Sequence, residues 1–162
     1  MPRKRAEQLG IRTIADLASH APAMSIAADY EFFSRPEWAG LKKAYGLSFR
    51  AQRQMQPDFM YAAVASGEVD VIAGYTSDGL IAKYDLVVLD DIKHAIPPYD
   101  AMRAAGAEAR GRSALRAALQ PLLGRIDIAD MREANLRARR AMMRRRSPDA
   151  VASWLWEKIG TR

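Results

Sequence analysis

The chain has no cysteine among its 162 residues. Disulfides, thiolate nucleophiles and cysteine metal sites are therefore excluded, while the compartment is left open. Histidine is nearly as scarce. His20 and His94 stand alone, with no serine or metal-ligand partner at a recognisable spacing. Nucleophile elbow, P-loop and G-x-G-x-x-G are all missing, so neither an enzyme nor a cofactor is expected. No apolar run approaches the length that spans a bilayer. The opening MPRKRAEQLG is basic but no apolar segment follows it, so no secretory signal is expected there. Internal repeats and low-complexity linkers are also lacking.

What remains is ordinary globular material, 49% hydrophobic and 27% charged, and long enough for a real core. The net charge of +6 is unevenly spread. Residues 1–100 carry 11 Lys/Arg against 13 Asp/Glu, and residues 101–162 carry 14 against 6. Such asymmetry can mark a tail for nucleic acid or anionic lipid.

The stretch Gly67–Tyr99 organises the rest. Val69–Ala73 and Leu86–Leu89 are short, rich in Val and Ile or Leu, and bounded by turn residues, as buried strands should be. The first runs into Gly74-Tyr-Thr-Ser-Asp-Gly79 and the second, through Asp90–Asp91, into Pro97-Pro-Tyr99. Open α/β folds place ligands at strand carboxyl ends. Each unit thus delivers a tyrosine, Tyr75 or Tyr99, to such a loop. A quaternary ammonium has no N–H and is held by the negative faces of aromatic rings. The alternative is two tyrosines that merely edge a core.

Upstream, Thr13 is expected to cap a short helix with Asp16 in its first turn, and Met24–Ala28 reads as a strand. Pro36 opens a helix to about Tyr45, ended by Gly46; Leu47–Phe49 reads as a strand; Pro57 opens a helix that runs to Gly67. A short helix over Leu80–Tyr84 follows. The order β, α, β, α, β, α, β over Met24–Leu89 argues an α/β fold with a mainly parallel sheet. Beyond Tyr99 the chain turns Ala- and Arg-rich, with helices expected at Ser113–Leu123, at Asp127–Arg146, and after Ser147-Pro148.

The sequences GEVDVIAGYTSDG, YDLVVLDD and PPYDA closely resemble the OpuAC-like substrate-binding proteins of glycine betaine/choline/proline betaine ABC importers. The resemblance runs from about Arg12 to Tyr99 and continues more loosely to the C-terminus. It implies the second lobe of a periplasmic-binding-protein-like (type II) fold, with a ligand-binding lobe at 1–100. Residues 101–162 would form a helical segment that returns to the first lobe, which the resemblance places before Met1. The expected crossover strand after PPYDA meets Met102-Arg-Ala-Ala-Gly106, which has poor strand character.

By the same resemblance Tyr75 and Tyr99 line an aromatic cage, and Arg35, in Glu31-Phe-Phe-Ser-Arg-Pro36, contacts the ligand carboxylate. A planar guanidinium matches a carboxylate with two parallel N–H donors. Glycine betaine would engage it and choline would not. Thr76, Ser77 and Asp78 offer hydroxyl and backbone donors to an anionic ligand end; Ser77 or Asp78 as a cap for the next helix is the preferred reading. Asp90 and Asp91 read as a solvated turn rather than a metal or acid/base pair. The partners implied are a quaternary ammonium ligand, an ABC permease, and a first lobe or a partner chain supplying it. The location implied is periplasmic or extracytoplasmic. Exposed apolar faces at Leu115, Leu119, Trp154 and Leu155 would allow a homodimer. The arginine run 137–146 carries the alternative, a basic helical nucleic-acid-binding or interaction protein. Ile128, Met131, Ala138 and Met142 form an apolar stripe opposed to that reading, and no nucleic acid is expected.

Overall fold

A computed structural model of the chain describes residues 1–99 and 111–160. It divides into two compact units, Met1–Pro97 and Pro98–Arg162.

The first unit is α/β, as the alternating pattern predicts. Helices α1 (Arg3–Leu9) and α2 (Ile14–His20) precede strand β1 (Ser25–Ala28). Helix α3 (Pro36–Tyr45) leads to β2 (Ala51–Gln54), α4 (Pro57–Ser66) to β3 (Val71–Ile72), and α5 (Leu80–Lys83) follows. The sheet is parallel throughout, in the order β2-β1-β3. Ile26 pairs with Gln52 on one side and Val71 on the other. All four residues of β1 are buried, as a central parallel strand covered on both faces requires. The Asp70 carboxylate ties the start of β3 to β1, accepting from the Ser25 N–H (2.8 Å) and hydroxyl (3.0 Å).

The helix boundaries follow their punctuation. Thr13 and Asp16 form a reciprocal cap on α2. α3 and α4 each begin at a proline, whose missing N–H would have no partner at that position anyway. Each ends at a glycine in the left-handed region, Gly46 at φ 68° and Gly67 at φ 80°. Trp38, Leu41 and Tyr45 of α3 pack with Ile11, Leu17, Met24, Ile26, Leu47 and Val71 in one cluster. α4 buries Met60, Tyr61, Ala63 and Val64.

Two expected strands are corrected. Leu47–Phe49 is not in the sheet; the edge strand lies four residues later, at the polar Ala51–Gln54. Leu47 is buried in the core and the Phe49 ring stands 6.1 Å from that of Trp38, so the apolar residues are spent on loop packing. An edge strand exposed at three of its four positions has no need of them. Leu86–Leu89 likewise adds no fourth strand. Its backbone is held by the chain's beginning, in isolated bridges Pro2 to Leu86 and Thr13 to Asp90. The Val87 N–H donates to the Met1 carbonyl (2.9 Å) and the Asp90 N–H to that of Arg12 (3.1 Å). The expected departure at Met102–Gly106 lies outside the described residues.

In the second unit α6 (Ser113–Leu119) is followed by α7 (Ile128–Met143) and α8 (Asp149–Gly160). Asp127 caps α7 by accepting from the Asp130 N–H (2.8 Å). α7 and α8 pack on one another. Lys158 bonds the buried Asp130, and the Arg137 guanidinium lies 4.0 Å from the centre of the Trp154 ring. Ala134, Leu136 and Ile159 are buried; Leu119, Trp154 and Leu155 are half-buried and Leu115 is exposed.

Candidate functional site

The site in the first unit is built on the loops that leave the carboxyl ends of β1 and β3. Because these strands are parallel neighbours, both loops exit at the same edge of the sheet.

The loop after β1 is a tightly wound turn. The Asp29 carboxylate accepts the backbone N–H groups of Glu31 and Phe32, each at 2.9 Å, the local side-chain capping typical of aspartate. A single 3₁₀ turn, Phe32–Ser34, follows. Phe32 and Phe33 bring their rings within 5.7 and 5.3 Å of the buried Trp38 ring, so the turn is anchored to α3. Arg35 is then fixed by its own backbone. Its N–H donates to Phe32 (3.1 Å) and its carbonyl accepts from Trp38 (3.2 Å). Extended at φ −76°, it stands at the N-cap of α3, as a residue before proline must.

Its side chain is half-buried. Nη2 donates to Glu31 Oε2 at 2.7 Å, and the Tyr75 hydroxyl lies close enough to act on the guanidinium. Glu31 first, then Tyr75, hold the guanidinium above its already high ordinary pKa. This cation is therefore permanent at any working pH.

Tyr75 arrives from β3. The Ala73 N–H continues the ladder to Ala27 (2.9 Å), and the Tyr75 carbonyl closes a turn with the Asp78 N–H (3.0 Å). Between them Gly74 passes so close to α4 that a Cβ there would lie 2.7 Å from the Tyr61 hydroxyl oxygen. The Tyr75 ring is left 60% exposed. The Asp78 carboxylate accepts from the Leu80 N–H at 2.9 Å in the turn that enters α5, whose N-cap is Gly79. Thr76 is exposed on the same loop.

The structure thus brings Arg35 and Tyr75 together, with Thr76 next to Tyr75 in the chain. Tyr99 belongs to the second unit, and is 65% exposed. Asp91 is structural. Its carboxylate accepts from the buried Tyr45 hydroxyl and from the Ile96 N–H (2.8 Å). Burial pushes the Asp91 carboxyl up, but these hydrogen bonds outweigh it and hold the group below its ordinary value. Among the described residues no three His, Cys, Asp or Glu side chains group as a metal would require. Glu31 and the Tyr61–Gly74 contact were not singled out from sequence. The i,i+4 spacing of Glu31 and Arg35 was a usable signal for the first; nothing local signals the second.

Residues 1–157 match the family described as the substrate binding domain of the ABC-type glycine betaine transport system (OpuAC). The chain belongs to this family. It is 31% identical over 137 residues to the carnitine transport binding protein OpuCC of Listeria monocytogenes, covering 82% of this chain and 44% of that protein. With a glycine-betaine-binding protein of Pseudomonas aeruginosa it shares 33% identity over 150 residues, or 85% of this chain and 48% of the other. A crystal structure of a glycine betaine/carnitine/choline ABC transporter protein superposes with a TM-score of 0.84 at 32% identity, over 98% of this chain and 58% of that one. The fold is therefore that of the periplasmic-binding-protein-like relatives, and the chain spans about half the length of the curated relatives it matches.

Proposed function

We propose that the chain forms the second, Arg- and Tyr-bearing lobe of a non-catalytic substrate-binding component of an ABC importer for quaternary ammonium osmolytes, glycine betaine in preference to choline. The observation that supports this reading is that the loops bearing Arg35 and Tyr75 leave neighbouring parallel strands at the same carboxyl edge of the sheet. An ammonium over the Tyr75 ring would leave its carboxylate within reach of the guanidinium. Tyr99 supplies the second ring, an assignment that rests on the family resemblance, and Thr76 offers a hydroxyl to the anionic end from its place on the Tyr75 loop. Family membership supports an extracytoplasmic location and a permease as partner. A first lobe, on another part of the protein or on a partner chain, would close over the ligand; half-buried Trp154 and Leu155 and exposed Leu115 are the surfaces offered to it, or to a second copy.

Calorimetry on the chain alone and on the chain joined to a first lobe tests the reading. One ring over a hydrated ammonium contributes about 0.5–1 kcal/mol, whereas millimolar affinity needs about −4 kcal/mol. The chain alone should bind betaine weakly or not at all, and the two-lobed form tightly and ahead of choline. Normal betaine binding by the two-lobed Tyr75→Ala variant would remove the cage assignment. A betaine/choline ratio unmoved by Arg35→Ala would remove the carboxylate assignment.

A further inference from the structure

The turn that joins α7 to α8 is rich in arginine. α7 ends at Met143, and Arg144, Arg145 and Arg146 follow, all exposed. Arg145 takes φ 54°, and the Arg146 N–H turns back to the Ala141 carbonyl at 2.9 Å. The chain reverses here with three consecutive exposed arginines at the tip, and exposed Arg140 stands one turn earlier. Arg137 is different: it is engaged by Glu133 at 2.6 Å and by the Trp154 ring. Among the described residues no ion pair engages Arg140, Arg144, Arg145 or Arg146. Asp149 is the one acid in the sequence from Ala134 to Trp156.

Arginines alone would fit any polyanion. Two further side chains decide between partners. Met142 and Met143 are 68% and 78% exposed, directly between Arg140 and Arg144. Unbranched apolar side chains flanked by cations gain nothing on a phosphodiester backbone. At a bilayer surface they can enter the acyl boundary while the arginines meet lipid phosphates.

We propose that the α7–α8 tip is a peripheral docking site for an anionic phospholipid surface. It would hold the protein along the membrane without spanning it; among the described residues no helix is long and apolar enough to do so.

The test is co-flotation of the full chain with phosphatidylglycerol-containing vesicles and with pure phosphatidylcholine vesicles, at low and high salt. Binding is expected only to the anionic vesicles and should weaken with salt. Each arginine near an anionic surface is worth about 1 kcal/mol, or about fivefold, so Arg144→Gln/Arg145→Gln/Arg146→Gln should lower partitioning on the order of a hundredfold. Met142→Ser/Met143→Ser should lower it as well, with circular dichroism unchanged for both variants. No flotation, or flotation indifferent to the arginine variant, overturns the proposal. So does binding that ignores the methionine variant and is matched by duplex RNA, which would assign the tip to polyanions in general.

Discussion

Gly74→Ala is the sharpest test of how the Tyr75 loop is held. The backbone at Gly74 is not in the left-handed region, so alanine is conformationally acceptable and the effect is purely steric. The new Cβ would lie 2.7 Å from the Tyr61 hydroxyl oxygen. Ordinary van der Waals contact begins near 3.4 Å, so about 0.7 Å must be found. Tyr61 cannot supply it cheaply, since it is 1% exposed and locked in the packing of α4. Either α4 gives, at the roughly 1–3 kcal/mol typical of overpacking, or the loop moves outward and carries Tyr75 away from Arg35. In a unit of about this size each kcal/mol lowers the melting temperature by about 4–8 °C. Thermal unfolding of Gly74→Ala should therefore drop clearly, and betaine affinity in the two-lobed form should drop with it. Tyr61→Phe in the same background removes the colliding oxygen and should restore part of both, a coupling of about 0.5–3 kcal/mol in a double-mutant cycle. A Gly74→Ala protein of unchanged stability and binding, or one that Tyr61→Phe does not improve, would refute the steric account.

Arg35→Lys keeps the charge but loses the planar fork, so betaine binding by the two-lobed form should fall while choline binding holds; calorimetry with both ligands reads the ratio. Tyr45→Phe leaves Asp91 without its hydroxyl donor and the Lys93 N–H without its acceptor (2.7 Å); the melting temperature should fall, and hydrogen exchange at Lys93 and Ile96 should quicken. Asp16 is held below its ordinary 3.8 by the backbone N–H groups of Thr13 and Arg12. Its folded pKa is depressed, so its contribution is present above about pH 4 and lost as the pH falls through the lower folded value. Acid unfolding followed by circular dichroism should be less steep in that window for Asp16→Asn, whose stability is already reduced at neutral pH.

The legible parts of the fold were those with local punctuation. Pro36 and Gly46, Pro57 and Gly67, and Thr13 with Asp16 each mark a boundary through a missing donor, a positive φ or a reciprocal cap, and the helices end where these residues stand. The strands were legible only where they are buried. β1 has apolar or small residues because both its faces are covered, and it was read within one residue. β2 is an edge strand of sequence AQRQ, and no hydrophobic pattern distinguishes it from a loop. Leu86–Leu89 has the composition of a strand, but hydrogen-bond partners decide strand membership, and here they come from Met1 and Arg12. Tertiary supply of partners overrode β-propensity at that segment. The candidate site shows the same division. Tyr75 and Arg35 can be named as candidates from motif and family resemblance, whereas Tyr61 cannot, because its relation to Gly74 exists only once α4 lies beside β3.

Arg35 and Tyr75 reach one another through separate anchors. Arg35 is held through Phe32 and Phe33 against Trp38, and Tyr75 through Gly74 against Tyr61. The two loops leave the neighbouring strands β1 and β3, so their meeting depends on that strand pairing. A ligand spanning ring and guanidinium would add a third link between the loops, and should stabilise the pair most when one anchor is weakened. The same geometry explains why a good pair is still a poor site by itself. The Tyr75 ring is mostly in water and the guanidinium already has Glu31 as a partner. A carboxylate arriving at Arg35 exchanges with Glu31 or shares the cation with it. Only a covering surface that excludes water turns a hydrated cation–π contact of about 0.5–1 kcal/mol into one of about 2. On the proposed reading the loops would fix which ligand end goes where, while affinity would come from whatever closes over them.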